Sequence, residues 1–218
     1  MSHKNTRQFI LSYITSSAII QDIECISKSG SAHFAYFFFD FKDTEKQDST
    51  AFLSSILVQL SNQSASFCDI LLEVYSAHQR GSQQPSDMSL LQCLETMFRV
   101  PGEVPTYIII DALDECPDTS GTYSPRKKVL EFIRKLVELH LPNIRICVTS
   151  RLEVDIRNAI ESLTSTSNCI SLHDEEGQKK DIADYINSVV YSDPKMMRWL
   201  EEDKKLVIKT LSDGAEGM

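Results

Sequence analysis

The segment Thr106 to Cys116, TYIIIDALDEC, constrains this chain more than any other. Five β-branched or aromatic residues in a row (Thr106, Tyr107, Ile108, Ile109, Ile110) do not alternate polar with apolar, so they predict a strand buried on both faces, as in a parallel sheet. The run stops at three carboxylates, Asp111, Asp114 and Glu115. In open α/β sheets the ligand crevice lies outside the carboxyl ends of the strands, so these acids fall where a ligand would be handled.

Four or five apolar residues followed by D-A-L-D-E resemble the Walker B segment of a P-loop NTPase. There the first Asp helps to hold Mg²⁺ and a following acid positions or deprotonates the attacking water. That resemblance makes Asp111 the metal-side carboxylate and Asp114 or Glu115 the candidate base. Ala112 suits a tight turn because its side chain is small. The plainer alternative is a hydrophobic strand ending in a solvated acidic turn, which one acid would satisfy but this spacing favours less.

The chain has 218 residues, enough for one substantial α/β domain or one domain and part of another. A hydrophobic content of 42% fits a globular chain, and 22 Lys+Arg against 31 Asp+Glu leave a net charge of -9. That charge, with no basic run, excludes a general nucleic-acid binder. Six cysteines are scattered without a C-x-x-C pair, which points away from zinc and from a disulfide framework. No signal-peptide pattern and no run near ~20 apolar residues is present, so a cytoplasmic protein without a membrane partner is expected.

Apolar periodicity predicts a helix over 6–26, ended by Gly30, and a run of aromatics predicts a strand over 33–41. Helices follow through Leu53–Leu60, Phe67–Tyr75 and Leu90–Phe98, the last stopped by Pro101 and Gly102. Ser124-Pro125 predicts an N-cap with Pro at the first helical position, and Val129 to Val137 give that helix its apolar face. A strand over 144–149 leads into Ser150-Arg151, completing a strand-helix-strand unit that brings Asp111 and Arg151 to one edge of the sheet. Beyond it the spacing predicts a polar stretch over 158–168, a short strand over 169–173, a helix through Ile182–Val190, and a charged helix over 195–211.

With these pieces in place, most of the chain, from Ser16 to Met218, resembles a NACHT domain of the signal-transduction (STAND) P-loop NTPases. The likeness is to the nephrocystin-3-like N-terminal domains common in fungal proteins that join a NACHT module to C-terminal repeats. It is carried by SSAIIQDI (16–23), FAYFFFDFKDTEKQD (34–48), IIIDALDEC (108–116), ICVTSR (146–151) and the terminal LSDGAEGM. The resemblance implies a parallel-sheet, three-layer α/β fold with helices at the C-terminus. It implies a domain over 1–192 and the helical start of a regulatory region over 193–218.

By the same resemblance Asp111 coordinates Mg²⁺, Asp114 and Glu115 are the hydrolytic acids, and Arg151 senses the terminal phosphate. Arg151 is equally well read as a surface arginine that caps a strand or pairs with Asp114. Thr149 and Ser150 are either polar partners of phosphate or strand-end residues. Mg²⁺ with ATP or GTP is implied for the ancestral domain, with none in this chain as the other option. The partners implied are other NACHT proteins or a second copy.

One departure stands out. Relatives carry a strand and a G-x-x-x-x-G-K-[ST] loop before the helix that here holds SSAIIQDI, because backbone N–H groups and the lysine must neutralise phosphate. None of the seven glycines (30, 81, 102, 121, 177, 214, 217) stands in that context, and Leu11, Ser12 and Tyr13 align with the Gly-Lys-Ser/Thr places. Each charge-assisted bond to phosphate contributes ~1.5 to 3 kcal/mol, so losing several lowers affinity by several decades at ~1.4 kcal/mol per decade. The expectation is therefore an incomplete switch domain, cut at both ends and impaired in NTP binding and hydrolysis. Its central first strand is expected to be missing from between the Asp111 and Ile144 strands, so that residues 1–12 replace it poorly, the sheet closes across the gap, or the chain is a truncated product. A non-enzymatic interaction fragment and a divergent active P-loop NTPase are the alternatives.

Overall fold

The computed structural model describes residues 16–102, 104–119, 124–151, 153–165, 168–169 and 176–214. Contacts divide the chain into two compact units, Met1–Ile170 and Ser171–Met218.

Among the described residues the first unit is built on three parallel strands, β1 (His33–Phe38), β2 (Thr106–Asp111) and β3 (Ile144–Val148), in the spatial order β1-β2-β3. The register aligns Phe38 with Asp111 and Ile110 with Val148, so all three strands end at one edge. β2 is central and buried along nearly its whole length, as its unbroken apolar run requires. Of the outcomes open for the missing first strand, the sheet closes across its place: β2 and β3 are hydrogen-bonded directly to each other. Of the expected strand over 169–173 only Cys169 is described, outside any strand, and the start of the helix over 6–26 lies outside the described residues.

Side chains of one parity along the strands (Ala35, Phe37, Ile108, Ile110, Ile146, Val148) join a single core with α2 (Ser49–Ser61), α4 (Asp87–Phe98), α5 (Pro125–Glu138) and α6 (Val154–Glu161). From α2 alone Phe52, Leu53, Ile56, Leu57 and Leu60 are fully buried. Each contributes roughly 1.5 to 3 kcal/mol relative to exposure. α3 (Ala65–Ala77) adds Phe67, whose ring meets His33 at 4.9 Å. Strand residues of the other parity, Phe34 and Ile109, are buried too, and α1 (Ser16–Lys28) lies against β1 and β2. Helices, sheet and helix thus give the α/β layering expected.

Local chemistry sets the helix boundaries. The Ser124 hydroxyl accepts from the Lys127 N–H and Pro125 fills the first helical position, so α5 starts where its sequence says. Ser86 caps α4 in the same way through the Ser89 N–H. Gly30, at φ 73°, takes the left-handed conformation that closes α1. α6 was not foreseen. Its only buried residues are Ile156 and Ile160, one turn apart, within a stretch otherwise polar enough to read as loop.

The second unit holds α7 (Glu176–Ser192) and α8 (Glu201–Gly214), which pack against each other. The helix expected over 195–211 starts late, after a single 3-10 turn at Met196–Arg198 and an extended Trp199. Lys204 is buried there, its Nζ 5.1 Å from the centre of the Tyr191 ring and 3.1 Å from Glu201. Among the described residues no helix is long and apolar enough to cross a membrane.

Candidate functional site

At the carboxyl edge of the sheet the chain leaves β2 through Ala112, held at φ 53°, ψ 46°. This left-handed residue costs a non-glycine roughly 1 to 2 kcal/mol, and surrounding bonds hold it in place. The Ala112 N–H donates to Thr149 Oγ1 at 3.1 Å and the Leu113 N–H to the Thr149 carbonyl at 3.0 Å. Leu113, Asp114 and Glu115 then form a single 3-10 turn that throws the two acids forward.

Every sequence-predicted site residue meets this edge. Asp111, 8% exposed, accepts a hydrogen bond from the Thr149 hydroxyl. Asp114, with a side chain only 6% exposed, accepts from the Arg151 N–H at 3.0 Å and faces Arg151 Nε at 3.4 Å. Arg151 thus pairs with Asp114 in the absence of a nucleotide. Glu115 Oε2 accepts from the Phe41 N–H at 3.2 Å, tying the exit of β1 to that of β2. The Ser150 hydroxyl donates to the Arg151 carbonyl at 2.8 Å.

Sequence reasoning missed the residue that braces the turn. Arg126, on the first turn of α5, donates through Nε to the Cys116 carbonyl at 2.8 Å and through Nη2 to the Asp114 carbonyl at 2.5 Å. Its Nη1 lies 3.4 Å from Asp155 on α6. One guanidinium thereby joins the acidic turn, α5 and α6. Nothing in the local pattern SPRKK separates Arg126 from its basic neighbours; only the fold brings it under the turn.

A crevice of about 350 Å³ opens over these groups, lined by Asp114, Glu115 and Glu153, by Arg126 and Arg151, and by Phe41 and Gln47. Three carboxylates against two guanidinium groups give it no cationic surplus, and no lysine lines it. Cys116 sits at its floor, where burial pushes the thiol up to about 12; nearby Arg126 pulls it down and Asp48 pushes it up further. A thiol that weakly acidic is no nucleophile near neutral pH.

A divalent cation fits poorly as a resident. Among the described residues no three His, Cys, Asp or Glu converge. Asp111 is buried with a hydroxyl on one oxygen, and the carboxylate of Asp114 is committed to Arg151. Mg²⁺ keeps several waters and takes one or two carboxylates plus phosphate oxygens, so this donor set holds no cation without a nucleotide supplying the rest.

A family model described as Nephrocystin 3, N-terminal matches residues 12–151. The match takes in β1, β2, β3 and the acidic turn, and it ends on Arg151. No curated protein matches the chain.

Proposed function

The chain belongs to the nephrocystin 3, N-terminal family, and from that premise we propose that it is a NACHT-type nucleotide-dependent signalling switch domain impaired in NTP binding and hydrolysis. The observation that carries the proposal is the state of Asp114. A general base must reach the proton it takes, within ~2.6 to 3.2 Å directly or through one water. Asp114 is 6% exposed and each of its oxygens faces a donor of Arg151, so the pair would have to part before the acid could take a proton from water. The sequence adds the second half: its 218 residues contain no G-x-x-x-x-G-K-[ST] loop.

In the ancestral arrangement Mg²⁺ with ATP or GTP would sit beyond Asp111 and Thr149, and Arg151 would leave Asp114 for the terminal phosphate. The nucleotide would then bias two arrangements by its differential contacts with them. In this chain the arginine and the acid satisfy each other instead. The purified chain is expected to show neither phosphate release above background nor Mg²⁺-dependent thermal stabilisation by ATP or GTP. Turnover abolished by Asp111→Ala would overturn the proposal and favour a divergent active P-loop NTPase; a ligand at ~100 times its dissociation constant adds about 2.7 kcal/mol of stability, which a melting curve resolves.

A second reading, an interaction fragment that engages a second copy or another NACHT protein, is favoured by the exposed apolar residues of the helical unit. Tyr185 and Leu200 are 71% and 72% exposed, and Trp199, Leu206 and Leu211 accompany them. Light scattering across a concentration series tests it: mass that rises with concentration supports association, and a constant monomer mass opposes it.

A further inference from the structure

Among the described residues β1 forms one edge of the sheet, and its sequence HFAYFF is a poor one for an edge. Four of its six residues are aromatic, none is acidic, lysine, arginine or proline, and Tyr36 and Phe38 are exposed. Proteins blunt such edges with charges, prolines or bulges, because an uncharged, proline-free six-residue aromatic segment templates pairing with another strand. The protection here comes from a neighbouring helix.

Gln63 and Gln59 meet the outward backbone of β1 residue for residue. The Phe34 N–H donates to Gln63 Oε1 at 2.8 Å, and Gln63 Nε2 donates to the Phe34 carbonyl at 2.5 Å. The Tyr36 N–H donates to Gln59 Oε1 at 3.0 Å, and Gln59 Nε2 donates to the Tyr36 carbonyl at 2.8 Å. A primary amide carries a donor and an acceptor side by side, so each glutamine makes the two bonds that a residue of an adjoining strand would make.

The spacing explains why four residues of helix serve two of strand. Outward backbone groups recur every second residue along a strand, ~6.6 Å, and four residues of helix rise ~6 Å. Gln63 lies just past the end of α2, but Asn62 keeps a helical conformation (φ -76°, ψ -8°) and the Gln63 N–H reaches the Leu60 carbonyl at 3.0 Å. Both amides are steadied from behind. Gln59 Nε2 reaches Ser55 Oγ at 3.0 Å, Gln63 Nε2 reaches the Gln59 carbonyl at 2.8 Å, and Ser27 Oγ of α1 donates to Gln63 Oε1 at 3.2 Å.

We propose that Gln59 and Gln63 form an amide clamp that ends the sheet at β1 and closes this edge to strand addition by a second copy of the chain. The test uses the full chain with Gln59→Met, which keeps length and flexibility but removes the amide, and the double variant with Gln63→Met. Backbone exchange is read residue by residue, and molar mass by light scattering against wild type.

In Gln59→Met the Tyr36 amide should exchange about tenfold faster or more, the factor for one lost hydrogen bond. Ala35 and Phe37, which by strand alternation face β2, should keep their protection. The folded double variant should extend the effect to Phe34 and gain mass with concentration beyond wild type. Unchanged Tyr36 exchange in Gln59→Met overturns the clamp, as does a folded double variant whose mass matches wild type. If the double variant does not fold, the single variant's exchange decides alone.

Discussion

Arg151 holds Asp114 at two points, its backbone N–H 3.0 Å from one carboxylate oxygen and its Nε 3.4 Å from the other, although the arginine side chain is 71% exposed and the acid 6%. The asymmetry in burial sets an asymmetry in cost. Arg151→Ala removes an exposed ion-pair partner and leaves the backbone N–H in place, so it should destabilise by less than about 1 kcal/mol. Asp114→Ala strips the acceptor from the N–H and the guanidinium together and should cost about 1 to 3 kcal/mol. Urea unfolding of the two variants measures the difference, and equal midpoints would contradict it.

Ala112 tolerates its left-handed conformation only because its side chain is small. A β-branched residue there is strained further, and Ala112 is buried. Ala112→Val should destabilise by about 1 to 3 kcal/mol, read as a lowered melting temperature. A variant as stable as wild type would show that the turn relaxes freely.

Asp87, at the start of α4, joins three helices: Ser49 and Thr50 of α2 donate to its carboxylate, and Lys128 of α5 lies 3.1 Å away. Burial pushes this carboxyl up, but the hydrogen bonds from Thr50, Lys128 and Ser49 outweigh it and hold it below its ordinary 3.8. The folded value being the lower, the group's contribution to stability is fully present above about pH 3.8 and is lost as the pH falls through the folded value. Asp87→Asn should therefore lower stability at neutral pH and flatten the acid limb of the stability profile. An unaltered acid limb would place the effect elsewhere.

The cysteines divide by environment. Cys25 and Cys68 are exposed, whereas burial pushes Cys93 up to about 11 and Cys116 up to about 12. A thiol-modifying reagent near neutral pH should label Cys25 and Cys68 in the native protein and reach Cys93 and Cys116 only on unfolding. Peptide mapping after a short pulse checks this, and early label on Cys116 would mean that the turn above it opens.

Much of the framework was legible from local pattern. The unbroken apolar run before Asp111 could only be a strand covered on both faces, and Ser124-Pro125 marked the start of α5 because capping depends on adjacent residues alone. The convergence of Asp111, Asp114 and Arg151 was legible too, since parallel neighbours end at one edge. α6 was hidden because two buried isoleucines in eight residues leave almost no periodic signal, and tertiary contact rather than propensity stabilises so short a helix.

By itself, then, the amino-acid order determined the strands, the caps and the acidic turn, and these 218 residues hold no G-x-x-x-x-G-K-[ST] pattern, all matters of residues near one another in the chain. Only the tertiary structure decided which partner each charged or polar side chain took. It set Arg151 on Asp114 from 37 positions away and brought Arg126 beneath the turn. It also joined β2 directly to β3 and laid two glutamine amides along the edge of β1. A hydrogen bond depends on angstroms and angles between groups distant in sequence, and packing fixes those only once the helices have closed on the sheet.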